Sequence, residues 1–128
     1  MDEEADPVGP DDVRALARML PDVVEGAHRG NPDFRIAGRV FATLWVEEER
    51  VVLRLTPEDQ ASLVDARPER FDPVEGAWGR RGWTSLALDA ADEASLRDAL
   101  LRAWRATAPA GLVAATAALA LPPEGPPV

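Results

Sequence analysis

The chain has no cysteine, no lysine and one histidine in 128 residues. Without cysteine it can form no disulfide, no thiolate zinc site and no cysteine-ligated iron–sulfur cluster. A lone histidine, His28, supplies a transition-metal site poorly, so neither metal nor cofactor is expected. As a general base His28 would need a nucleophile or an orienting carboxylate. No Gly-x-Ser-x-Gly or comparable signature surrounds Ser62, Ser85 or Ser95. His28 therefore reads as a loop residue with a structural hydrogen bond, and the chain as a non-enzyme. No uninterrupted apolar run approaches the roughly 20 residues of a membrane helix. The N-terminus is acidic where a signal peptide is basic and then apolar. A cytoplasmic protein with no membrane partner is the expectation.

What is present is acid and arginine. The formal charge is -9, but Asp2, Glu3, Glu4, Asp6, Asp11 and Asp12 all precede the first base, Arg14. Residues 13–110 hold 14 arginines against 16 acids, so the body is nearly neutral and a local basic face stays open to it. The all-arginine set reflects coding composition as readily as function, although arginine suits bidentate phosphate contacts.

One domain is expected at this length. Residues 1–9 read as an acidic solvated tail, 10–109 as the folded unit, and 110–128 as an apolar and then proline-rich tail. Val13, Leu16, Ala17 and Leu20 recur at helical spacing, with Pro10 at the first helical position, Asp11 and Asp12 in the first turn, and Pro21 as the stop. From Val23 to Leu55 the pattern is that of strands. Phe34 and Ile36 flank Arg35, Ala37-Gly38 makes a tight turn, and Val40, Ala42, Leu44 and Val46 share one face. A polar turn, Glu47-Glu48-Glu49-Arg50, leads to Val51, Leu53 and Leu55. Thr56-Pro57-Glu58-Asp59 opens a short helix to about Ala66, with Thr56 as cap and Asp59 as the acid of a capping box. Gly76, Gly79 and Gly82 then interrupt the chain before a strand from Trp83 to Leu88. A last helix puts Leu96, Leu100, Ala103 and Thr107 on one face and ends at Pro109. The fold class is α+β in two layers, an antiparallel meander packed on N- and C-terminal helices. The apolar patch from Leu112 to Leu121 adds a turn of helix against the body.

Several strings in this order resemble the MmcQ/YjbR family: Val13-Arg14-Ala15-Leu16-Ala17 with Leu20-Pro21, Gly38-Arg39-Val40-Phe41-Ala42, Leu53-Arg54-Leu55, and Gly79-Arg80-Arg81-Gly82-Trp83-Thr84. Together they span about residues 11–108. The resemblance implies a CyaY-like fold and a DNA-contacting role through a double-wing arrangement of the sheet. CyaY-like folds also bind iron through acids near the first helix, where Asp6, Asp11 and Asp12 lie, although first-turn acids are in the first place helix-start residues.

Trp78-Gly79-Arg80-Arg81-Gly82-Trp83 pairs guanidinium groups with aromatic faces on a glycine-rich loop, a combination that neutralises phosphate and stacks on bases. Equally, Trp83 fills a core and the arginines are solvated. Arg29, Arg35 and Arg39 form a second basic stretch whose alternate residues would share one exposed sheet face. The leading expectation is weak, sequence-independent DNA contact through Arg29, Arg35, Arg39, Arg80, Arg81 and Trp83. The alternative is a protein or small-ligand module whose groove is bordered by Trp45, Trp78, Trp83 and Trp104.

Overall fold

The computed structural model describes residues 8–120, with side chains through 115. The expected acidic tail up to residue 7 and the proline-rich end from 121 lie outside the described residues.

Helix α1 (Pro10–Arg18) starts where its chemistry dictates. Pro10 occupies the first position, and the backbone N–H of Gly9 donates to Asp12 Oδ2 at 2.8 Å. Asp12 is thus a helix-start residue, the ordinary use of an acid in a first turn. Val13 and Ala17 are buried. Val8, which sequence alone places in the tail, is buried as well, so the packed body begins before Pro10.

The sheet begins with β1 (Val24–His28), β2 (Asn31–Ile36), β3 (Arg39–Trp45) and β4 (Arg50–Arg54), an antiparallel meander. Ala37 and Gly38 have φ of 54° and 80°, and Arg29 and Gly30 have 56° and 84°. Paired positive φ values are what a two-residue hairpin needs to match strand twist. The Ala37-Gly38 hairpin is as expected. The Arg29-Gly30 hairpin was hidden inside what reads as a basic loop, and it places His28 at the end of an edge strand rather than in a loop.

Between β2 and β3 the register shifts at Phe34/Arg35, with Phe34 opposite Ala42 and Arg35 opposite Val40. Phe41 is the extra residue of this bulge, and both Phe41 and Ala42 are buried. The alternation read from sequence therefore fails at both ends. Val40 falls on the opposite face, and Val46 leaves the strand into the turn and is exposed.

After β4, α2 (Pro57–Ala66) carries the chain to β5 (Phe71–Pro73) at the far edge. The short α3 (Ala77–Arg80) then returns it to β6 (Trp83–Ala87), which inserts beside β4. The sheet order is β1-β2-β3-β4-β6-β5. Thr56 Oγ1 accepts from the Asp59 N–H at 3.0 Å, as a cap should. The Asp59 carboxylate does not close a capping box; it accepts from Arg102 Nη1 at 2.6 Å and so ties α2 to α4 (Glu93–Thr107).

The core lies on one side of the sheet. Phe34, Ile36, Leu44, Val51, Leu53 and Leu86 meet Leu96, Leu100 and Trp104 of α4 and Val13 and Ala17 of α1. Each large apolar side chain buried there contributes roughly 1.5–3 kcal/mol. Trp104 Nε1 donates to the Pro21 carbonyl at 3.0 Å, fastening α4 to the loop after α1. Helix α5 (Ala110–Ala120) extends the expected turn to a full helix, with Leu112 and Val113 packed on the core edge. The opposite sheet face, carrying Trp45, Arg50, Val52, Arg54, Trp83 and Ser85, is open and only partly shielded among the described residues. No described helix is long and apolar enough to cross a membrane.

Candidate functional site

The Gly76–Gly82 loop is built by two close approaches. A Cβ on Gly79 would stand 1.7 Å from the Val74 carbonyl oxygen, and one on Gly82, at φ +114°, 1.9 Å from that of Leu55. Only glycine lets the backbone pass here. Gln60, from α2, holds the loop from beneath. Its Nε2 donates to Gly79 O at 2.9 Å, Trp83 O at 3.2 Å and Thr84 Oγ1 at 3.0 Å. Nothing in the local sequence marks Gln60 as a site residue, because its partners come from a segment about twenty positions downstream.

That scaffold presents Trp78, which is 58% exposed, against Trp83 in an edge-to-face pair with centroids 5.9 Å apart. The Arg81 guanidinium lies 5.5 Å from the Trp78 ring centroid, a cation–π distance. Arg80 and Arg81 are exposed. Trp78 thus touches both Trp83 and Arg81 at one surface. Trp83 does not fill the core, the other reading of the sequence; it is partly buried on the open face, opposite Arg54.

Register decides which other arginines join them. Arg54 pairs with Trp83 across β4 and β6 and shares its open face. Arg39 opens β3 at the same end of the sheet. Among the described residues Arg39, Arg54 and Arg80 have no ion-pair partner, and Arg81 has only its tryptophan. Arg54 is a member that sequence reasoning missed, since only the strand order brings it beside the loop.

Arg35 also faces this open side, but it is bound to the buried Asp33 through Nε at 3.0 Å and Nη2 at 3.1 Å. The hydrogen bond and the Asp33 charge raise its pKa, and the pair is neutral. Arg29 sits in the hairpin at the other end of β2, roughly 17 Å away by strand length. The three-arginine face of Arg29, Arg35 and Arg39 is therefore not formed: one is at the far end, one is neutralised, and Arg39 opposes Ile36 on the other side of the pleat.

The four-tryptophan groove is not formed either. Trp104 is 1% exposed inside the core, because it lies one helical turn from Leu100 on the buried face of α4. Trp45 sits at the opposite end of β4 from Trp83, under the Arg50 guanidinium at 5.4 Å. Trp78 and Trp83 alone remain together. His28 is exposed and its ring has no hydrogen-bond partner among the described residues, contrary to its expected structural bond. Among those residues no group of three or more His, Cys, Asp or Glu is placed to hold a metal ion.

These features define a small α+β protein with a helix-backed antiparallel sheet, one open face and a tryptophan–arginine loop at one end. A family model for YjbR matches residues 18–106, and the chain belongs to the YjbR family. Among solved structures it is similar to Deinococcus radiodurans protein DR2400, of domain family DUF419, at a TM-score of 0.68 and 21% identity over 89% of each chain. At that identity the likeness establishes the fold. No curated protein matches the chain.

Proposed function

We propose that this protein is a non-catalytic binding protein that contacts DNA weakly and without sequence preference, through the end of its sheet that bears Arg39, Arg54, Arg80 and Arg81. The observation that carries this reading is that Arg54 on the open face and Arg80 and Arg81 in the adjoining loop, with Arg39 at the same end of the sheet on the other side of the pleat, have no carboxylate partner among the described residues and lie beside or near an exposed Trp78. Unpaired guanidinium groups at a surface are suited to phosphate, which they grip in bidentate fashion. Two of the three serines are structurally engaged. Ser85 Oγ accepts from Arg50, and Ser95 bonds Asp92 at the start of α4.

Binding of this kind is dominated by counterion release. With about four phosphate contacts, affinity for a short duplex falls on the order of a hundredfold between roughly 50 and 200 mM salt. Fluorescence anisotropy of a labelled duplex measures it. Arg80→Ala and Arg81→Ala each lower the slope of log affinity against log salt by about one, whereas Arg29→Gln leaves it unchanged. Absence of binding at low salt refutes the reading.

A further inference from the structure

The open face of the sheet carries aromatic rings that a duplex contact leaves unused, because the bases of a duplex are stacked inside it. Trp45 and Trp83 both lie on this face, at opposite ends of β4, since they pair with Arg50 and Arg54 respectively. Four residue steps along β4, roughly 14 Å, and the two strand spacings from β3 to β6, roughly 10 Å, set them diagonally about 17 Å apart. Each is accompanied by a guanidinium or a second ring: Arg50 over Trp45 at 5.4 Å, and Trp78 edge-on to Trp83 at 5.9 Å. Between them Thr43, Val52 and Ser85 form a low floor in one cross-strand row. Arg54, with no ion-pair partner among the described residues, borders the row at the Trp83 end; at the Trp45 end Arg50 is paired with Glu48 at 2.7 Å, and Asp33, the buried carboxylate of this face, is paired with Arg35.

Resting on the nucleic-acid reading above, we infer that the preferred ligand is an unpaired strand laid along β4, its bases stacking at the Trp45/Arg50 and Trp83/Trp78 platforms and its phosphates on the flanking arginines. Charge complementarity selects a polyanion, and the paired aromatic platforms select one whose bases are exposed. Helix-backed sheets with surface aromatics stack two or three bases in this way. Stacking on an aromatic side chain is tolerant of sequence, since every base has a π-face, which agrees with binding that lacks sequence preference.

The test compares the full chain against three labelled probes of equal phosphate number: a thymidine 12-mer, a uridine 12-mer, and a hairpin duplex. The expected result is at least tenfold tighter binding of a single strand than of the duplex, with quenching of tryptophan fluorescence. Whichever of the two single strands binds more tightly identifies the source as DNA or RNA. Trp45→Ala, at the platform away from the arginine loop, weakens single-strand binding by roughly fivefold or more and leaves duplex binding within twofold, whereas Trp78→Ala, which also removes the ring under Arg81, weakens single-strand binding at least as much. Trp83→Phe, which keeps a ring in the strand, retains most of the binding. Equal affinity for duplex and single strand, with both alanine variants neutral, overturns this inference while leaving the arginine reading intact. Loss of all salt-sensitive binding overturns both.

Discussion

At the scale of single residues, Gly79, Gly82 and Gln60 decide where Trp78, Arg81 and Trp83 stand. The glycines look like simple breaks in the sequence, and their real constraint is the nearness of the Val74 and Leu55 carbonyls, which no local pattern encodes. Gly82→Ala adds positive-φ strain to a steric overlap and is expected to cost about 3 kcal/mol. Gly38→Ala, whose added Cβ meets nothing within 4 Å, costs only about 1 kcal/mol from its φ. Urea denaturation of the two variants checks the contrast; equal losses would mean that the Leu55 contact is relieved at no cost. Gln60→Ala leaves Gly79 O without its side-chain donor and is expected to cost about 1–3 kcal/mol and to broaden the indole resonances of Trp78 and Trp83.

Among the elements, those with caps and clear periodicity were legible: α1, α2, α4 and the hairpin at Ala37-Gly38. Those that escaped were short or irregular. In β1 the run Val-Glu-Gly-Ala-His does not alternate, β5 is three residues long, and α3 is one turn between glycines. Phe41 escaped for another reason, because a bulge buries two successive residues and shifts the phase of everything before it. Helix α4 offers a test at this scale. Asp92 caps it by accepting from the Ser95 N–H and Oγ. Those bonds, with a smaller contribution from the Arg70 charge, hold the Asp92 carboxyl below its ordinary pKa. A carboxyl depressed in the folded state stabilises it fully above the unfolded pKa of about 4, and the contribution disappears as pH falls through the folded value. Asp92→Ala is expected to cost about 1 kcal/mol at neutral pH. Asp92→Asn keeps the cap without the charge, so wild type should lose more stability than this variant between about pH 5 and pH 2. Parallel pH profiles from thermal unfolding would contradict that account.

For the whole molecule, topology sorts candidates that composition could only nominate. Sequence placed Arg29, Arg35 and Arg39 together because they are near in the chain, yet the hairpins send Arg29 to one end of the sheet and Arg39 to the other. Arg54 joins Trp83 only because β6 inserts beside β4 after the excursion through α2 and β5. The tryptophans divide likewise, one to the core, one to each end of β4, and Trp78 to the loop. Family and fold class were readable from ordered strings along the chain, whereas the surface that joins Arg54 to Trp83 and its loop depends on strand order. The most direct measurement of that surface is a titration of the isotope-labelled protein with a short DNA oligonucleotide, following backbone amide shifts. With a duplex, perturbations concentrated at Arg39, Arg54 and residues 77–84 are the predicted result; shifts centred on Arg29, or none at low salt, would contradict it.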